Sequence, residues 1–271
     1  MKIMYVQPIG GICNRMRVIA SAYEVSKKNN KRMVLFWEKN EELNCDYKSL
    51  FELPKDIIGV NYDIKKKCIK NRLVEYAKRT NMNSHTYYEN KIVLSAVKEE
   101  KKYCDIYFQS NNIYVKTEYG LKGSDEESIN RYNYTIFKIN SNIIKKVPEI
   151  IKNNSCIGIH IRRTDNKKSI ERSPIELFYK AIDNEITNGK ELFFLATDSY
   201  EIKKEMKKKY GNAIIFRESI LNRNSKQGIV DSMVELASLS LCEKIYGSYY
   251  SSFSKAAAHL GNIPLITCKK E

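Results

Sequence analysis

From residue 156 to the end of the chain, short apolar runs alternate with helical patterns, and this rhythm constrains the fold more than any other feature. Cys156-Ile157-Gly158-Ile159-His160-Ile161 reads as a buried strand, entered from a helix through Ile143, Ile144 and Val147. A helix from Ser173 follows, then the strand Leu192 to Ala196, a Lys-rich helix from about 200 to 210 and the strand Ala213 to Phe216. A helix from about 226 to 242, the short strand Lys244 to Gly247, a helix from about 251 to 260 and the strand Ile263 to Thr267 close the chain. Parallel strands need crossover connections, which helices supply, so the pattern predicts a doubly wound α/β lobe.

The first forty residues show the same unit once. Ile3 to Val6 is extended, Gly10-Gly11 turns, Met16, Ile19, Ala20 and Tyr23 recur at helical spacing, and Met33 to Trp37 is extended again. That is a βαβ opening and a second parallel sheet. Residues from about 60 to 135 are less regular: the apolar stretches Ile92-Val93-Leu94, Ile106-Tyr107-Phe108 and Ile113-Tyr114-Val115 stand among basic and Asn-rich segments, and a mixed region with a hairpin is expected. No Pro- or Ser-rich linker and no internal repeat marks a boundary. The change of rhythm alone divides the chain into 1–140 and 141–271.

With 271 residues, 42% of them hydrophobic, the chain is long enough for one large or two small cores and is not of disordered composition. Lys and Arg (47) exceed Asp and Glu (32), giving +15, which favours anionic partners such as nucleotides, nucleic acid or an acidic membrane surface. Much of the excess is Lys beside abundant Asn and Ile, which also fits a bias in coding composition. Cys13, Cys45, Cys68, Cys104, Cys156, Cys242 and Cys268 are scattered singly, as small buried residues in a reducing compartment would be. The apolar start, Met1 to Val6, is too short for a signal segment, and no run approaches the roughly 18 apolar residues of a membrane span. A soluble, cytoplasmic protein is expected. His85, His160 and His259 lie far apart in sequence, so no metal site is expected.

Several residues could carry chemistry. Gly158, His160 and Arg162 share the strand face opposite Ile157, Ile159 and Ile161, a set that ordinary core packing does not account for. They lead into Arg162-Arg163-Thr164-Asp165 at the strand's carboxyl end, where open α/β sheets bind ligands. Two arginines there suit a phosphate; the plainer alternative is an internal Arg–Asp pair capping the sheet edge. Asp198 follows the strand ending Leu195-Ala196-Thr197. Ser251 and Ser252 follow Ile245-Tyr246-Gly247-Ser248 at a helix start, as a phosphate seat or as simple N-caps. Asp231 and Glu235 stand one turn apart on the flank of the 226–242 helix, either solvated or placed to accept from a guanine edge. Gly10-Gly11 before a helix lacks the full GxGxxG spacing and the Lys-Ser/Thr of a P-loop. The Lys203 to Lys209 run reads as a solvated face, and Trp37 as core.

These residues together resemble the α1,6/α1,2/protein O-fucosyltransferase superfamily, and most closely its α1,6 enzymes. The HxRRxD motif stands complete as His160-Ile161-Arg162-Arg163-Thr164-Asp165, followed at nearly the family's spacing by Ser173-Pro174-Ile175-Glu176. Leu195-Ala196-Thr197-Asp198 and the stretch from Asp231 through Ser252 match the second and third motifs, and Gly10 to Arg17 resembles the N-terminal loop of bacterial members. The resemblance implies two Rossmann-like lobes of GT-B type, with the donor site in the C-terminal lobe and the acceptor on the N-terminal side. It implies an inverting glycosyltransferase that moves a sugar, fucose from GDP-fucose, to a glycan hydroxyl, with the GDP-sugar as donor substrate and no separate cofactor. It assigns Arg162, and with it Arg163, to the donor diphosphate, His160 to the nucleoside, and Glu235, or failing that Asp231, to the guanine. It also assigns Ser251, with Ser252 adjacent, to a phosphate, and Gly10 and Gly11 to the donor side. The acceptor's base falls on Glu171, with Asp198 as the other candidate. No Asp-x-Asp pair occurs, so arginines would take a cation's part.

The acceptor is open between a lipid-linked glycan at the inner membrane leaflet and a soluble oligosaccharide. A different class of function stands beside the enzyme: a basic, non-enzymatic protein binding nucleic acid or an anionic glycan. Against it, Lys65 to Lys67 and Lys203 to Lys209 are not interleaved with aromatics.

Overall fold

The computed structural model describes residues 2–63, 65, 69–83, 87–89, 103–105, 112–122, 134–153, 155–164, 166–220, 222 and 224–270. The chain divides into two compact units, Met1–Lys138 with Asn222–Ile229, and Ile139–Leu221 with Val230–Glu271.

The first unit runs β1 (Lys2–Pro8), α1 (Ile12–Lys28), β2 (Lys31–Glu38), β3 (Phe51–Glu52), β4 (Ile58–Tyr62), α2 (Ile69–Asn83), β5 (Tyr87–Glu89), β6 (Tyr103–Asp105), β7 (Ile113–Thr117) and β8 (Gly120–Lys122). Its main sheet has the order β4-β2-β1-β7-β5, with every pair parallel. Met16, Ile19 and Ala20 of α1 are fully buried, as their spacing predicts, and Trp37 is core, its indole N–H donating to the Cys45 carbonyl at 2.8 Å. The expected hairpin does not form where this stretch is described, since β5 and β7, and β6 and β8, pair in parallel. Ile92-Val93-Leu94 and Ile106-Tyr107-Phe108 lie outside the described residues, as does His85. Helix α2 is not among the elements the sequence predicts, because its few apolar residues stand among many Lys, Arg and Asn.

The chain continues, mostly in the second unit, with β9 (Lys138–Ile139), α3 (Ser141–Ile144), α4 (Glu149–Asn153), β10 (Ile157–Ile161), α5 (Lys167–Arg172), α6 (Ile175–Thr187), β11 (Phe193–Thr197), α7 (Tyr200–Tyr210), β12 (Ile214–Ile215), α8 (Lys226–Ser240), β13 (Lys244–Ser248), α9 (Ser252–Gly261) and β14 (Leu265–Cys268); Lys138 and the first turn of α8 belong to the first unit. Five of these strands, β10 to β14, form one sheet, all parallel, in the order β12-β11-β10-β13-β14. This is a doubly wound sheet in which the chain first builds outward from β10 through β11 to β12 and then returns to place β13 on β10's other side. The α/β reading therefore holds in both units.

Ile157, Ile159 and Ile161 join one buried cluster with Phe178, Ile182, Phe193, Leu195 and Met206. The opposite face of β10 is also packed, which corrects the expectation for it: a Cβ at Gly158 would stand 3.0 Å from Leu239 of α8. Two helical readings are amended by prolines. The helix through Ile143 to Val147 is split into α3 and α4 around Pro148, which cannot donate a helical N–H, and α6 begins after Pro174 instead of at Ser173. Lys203 is a correction too. It is 2% exposed in place of solvated, with its ammonium on the Arg217 carbonyl and the Ser219 hydroxyl.

Candidate functional site

In the second sheet the winding reverses between β10 and β13, and a crevice is expected at the carboxyl ends of strands flanking such a point. The HxRRxD residues leave the sheet there. His160 pairs in register with Ala196 on one side and Gly247 on the other, so small neighbours flank its ring. A Cβ at Gly247 would meet Ser254 at 2.6 Å, so the missing side chain is what lets α9 lie close over β13.

His160 is buried and stacks on Phe253, with ring centroids 5.0 Å apart. Burial, reinforced by the Arg162 charge, pushes its pKa down to about 3, which keeps the imidazole neutral at neutral pH. Its Nδ1 is enclosed without a hydrogen-bond partner among the described residues. An enclosed ring nitrogen of this kind is unfavourable unless a water or a ligand group meets it.

Arg162 forms an ion pair with Asp198, Nε to Oδ2 at 3.0 Å, so the sheet-edge alternative for this cluster is realised in part. Asp198 also accepts from the Arg163 N–H at 2.7 Å, the Thr164 N–H at 3.3 Å and the Thr164 hydroxyl at 2.7 Å. One carboxylate at the end of β11 thus gathers the whole Arg162–Thr164 turn. The Arg162 N–H donates across to Ser248 Oγ at 3.0 Å, which ties the same turn to β13. Asp165 lies outside the described residues.

Arg163 turns inward. Its guanidinium donates to the Arg162 carbonyl at 2.9 Å and the Ser173 carbonyl at 2.8 Å, lies over Phe178, and has its pKa lowered by burial. The two arginines of the motif therefore differ in kind: Arg163 braces the loop, and Arg162 stands in the charged pair at its start.

Ser251 is the N-cap of α9, its hydroxyl accepting from the Phe253 N–H at 3.3 Å, and Ser252 opens the helix half-buried. Just before it, Tyr250 holds the left-handed conformation, φ 60°, uncommon for a residue with a side chain. Asn166 secures that turn. Its amide donates to the Tyr250 carbonyl at 3.1 Å while its Oδ1 caps α5 by accepting from the Ser169 N–H at 3.1 Å. Ser173 does the same from the other end of α5: its hydroxyl accepts from the Tyr249 N–H at 2.7 Å and donates to the Cys268 carbonyl. Asn166, Ser173, Ser248 and Phe253 have no role of their own in the sequence reading. Nothing in their local pattern distinguishes them from ordinary caps and core.

Glu171 is exposed on α5. Asp231 and Glu235 are buried, not solvated. Asp231 accepts from the Ile220 N–H at 3.2 Å and lies 3.7 Å from Arg217. Glu235 accepts from Ser219 Oγ at 2.8 Å and lies 3.6 Å from the Lys203 ammonium. Burial pushes its pKa up against the opposing pull of Lys203. Both acids thus bind the segment that follows β12, which takes up part of the accepting capacity that a guanine edge would use.

Gly10 and Gly11 belong to the first unit, at the carboxyl end of its central strand. Gly10 has φ 80°, donates its N–H to Glu42 at 3.0 Å and has its carbonyl bound by the buried Arg15 at 2.8 Å. Gly11 is the residue before α1, and its Cα faces open space.

No family model matches the chain, and no curated protein does. Solved structures do. NodZ α1,6-fucosyltransferase co-crystallised with GDP aligns over 95% of this chain and 92% of that one with TM-score 0.60 at 13% identity. The same enzyme soaked with GDP-fucose gives TM-score 0.61 at 15% identity, over 98% and 95%. A mutant of Arabidopsis thaliana FUT1 in complex with GDP gives 0.61 at 14% identity over all of this chain and 71% of that one, and POFUT1 with GDP gives 0.55 at 12% over 98% of both. The chain has the fold of these fucosyltransferases, and its two parallel sheets are those that the HxRRxD resemblance implies.

Proposed function

We propose that the protein is an inverting glycosyltransferase that moves fucose from GDP-fucose to a glycan hydroxyl without a metal ion. The observation that carries this reading is the grouping at the switch point of the second sheet, where Arg162 held by Asp198, the neutral His160, its Nδ1 unpartnered among the described residues, and the N-terminus of α9 meet. Fold likeness to proteins crystallised with GDP and GDP-fucose supports it.

Transfer breaks the bond between the anomeric carbon and the diphosphate oxygen and forms a bond from the acceptor oxygen on the opposite face. Charge collects on the departing diphosphate. Arg162, oriented through Nε, and the positive end of the α9 dipole meet that charge. The acceptor proton goes to Glu171, whose exposure on α5 leaves it open to a hydroxyl. Asp198 orients and takes no proton in this scheme, since its oxygens already accept from the Arg162–Thr164 turn. The first unit carries the acceptor, a glycan either free or lipid-linked.

The test is thermal stabilisation of the whole chain by GDP, UDP, ADP and a short oligonucleotide, followed by GDP-fucose turnover. Selective stabilisation by GDP is expected. Stabilisation by the oligonucleotide with none by GDP would replace this reading with the basic binding protein.

A further inference from the structure

Helix α2 of the first unit has a second face that the other described residues leave exposed. Val74 and Ala77 are buried among Val34, Phe36, Tyr62 and Tyr114, so one side of the helix is fully occupied by the sheet. About a quarter-turn round the helix, Ile69, Leu73 and Tyr76 are 83%, 46% and 62% exposed. Their spacing of four and three residues sets them in one stripe along the axis. Scattered surface apolar residues are ordinary, but large ones aligned on a single helix face mark a contact surface.

Charge indicates what the surface meets. Between positions 65 and 79 there are seven Lys or Arg residues and one acid, Glu75, in a chain whose net charge is +15. Arg72 and Arg79, both exposed and seven residues apart, form a row on the solvent side of the stripe. A protein partner for an apolar helix face needs no such excess of one sign. An anionic lipid surface meets all three features: aliphatic side chains enter the acyl boundary, a tyrosine ring sits at head-group depth, and arginines lie along the phosphates. No helix among the described residues is long and apolar enough to cross a membrane, so the contact would be one of docking.

We propose that the Ile69–Leu73–Tyr76 face of α2, with Arg72 and Arg79 beside it, docks the protein on an anionic phospholipid surface. This inference is independent of the sugar chemistry, and its readouts do not involve turnover.

The experiment is flotation of the full chain with phosphatidylcholine vesicles, with and without phosphatidylglycerol. Binding is expected only with the anionic lipid, weakening as salt is raised. Leu73→Glu with Tyr76→Glu should lower partitioning at least about tenfold while leaving the melting temperature in place, since both side chains are exposed. In Tyr76→Trp, emission should shift to the blue on anionic vesicles and be quenched by brominated lipid, while the emission of Trp37, enclosed in the core, stays unchanged. Absence of binding at low salt would overturn the proposal. So would binding that survives the double glutamate variant, which would make the attraction generic. A concentration-dependent dimer abolished by Leu73→Glu would assign the face to a second copy of the chain instead.

Discussion

Asp198 holds Arg162 from the neighbouring strand, Oδ2 to Nε at 3.0 Å, while its two oxygens also take the N–H groups of Arg163 and Thr164. Removing that carboxylate therefore releases both a charge partner and a loop. Asp198→Asn should weaken GDP binding and turnover together, with a stability loss of about 1.5–3 kcal/mol for the charged hydrogen bonds. Denaturant unfolding and GDP titration check it. Arg162→Ala should abolish transfer and weaken GDP binding with the fold intact, and Arg162→Lys should recover little, because an ammonium cannot both keep the Nε contact and face a phosphate. Unchanged turnover in either Arg162 variant would remove the diphosphate role.

Glu171 offers the opposite signature. Exposed on α5, it braces nothing in the strand ends, so Glu171→Gln should leave stability and GDP affinity in place and lower turnover by about a hundredfold or more, the ordinary contribution of a general base. Transfer should also persist in EDTA, because in this scheme Arg162 and the α9 N-terminus neutralise the leaving group. Should chelation stop the reaction and Mg²⁺ or Mn²⁺ restore it, the metal-free mechanism fails. If Glu171→Gln keeps full turnover while Asp198→Asn loses it at unchanged GDP affinity, the base is Asp198.

Burial and Arg162 hold the folded His160 pKa at about 3, below the ordinary value of 6.5, so between these two pH values the unfolded chain binds the extra proton. The sign follows directly: this group's stabilisation is present above about pH 6.5 and is lost as pH falls, at up to roughly 1.4 kcal/mol per pH unit. His160→Gln should flatten the dependence of melting temperature on pH between about 6 and 4 relative to the parent chain. An unchanged slope would mean that the imidazole is not enclosed as described.

How much of this was legible from residues alone depends on how local each cause is. The alternation in Ile157-Gly158-Ile159-His160-Ile161 exposes a strand because a period of two is a property of five neighbours. The strand-end positions of Arg162, Asp198 and Ser251 follow from the same reading. Partners are another matter. That Asp198 binds Arg162, and Arg163 turns instead to the Ser173 carbonyl, depends on a register between strands that no window contains. Lys203 shows the limit most clearly: it stands in a lysine-rich run with every mark of a solvated face, yet the helix turns this one lysine inward to Glu235 and Ser219.

Ser173 joins three pieces of the site without touching any charged group through its side chain. Fully buried, it accepts from the Tyr249 N–H, donates to the Cys268 carbonyl, and presents its own carbonyl to Arg163. Ser173→Ala would strand a buried main-chain donor and a buried acceptor at once, for a loss of about 1–3 kcal/mol. The effect should also reach the site. Tyr249 leads into the strained Tyr250 turn and the α9 cap, so GDP affinity should fall in Ser173→Ala though no contact to a nucleotide is removed. Ser173→Thr, which keeps the hydroxyl, should recover the affinity more than it recovers the stability, because its added methyl must be packed at a site with no exposed surface. Equal recovery of both, or GDP affinity unmoved in Ser173→Ala, would reduce Ser173 to a packing residue.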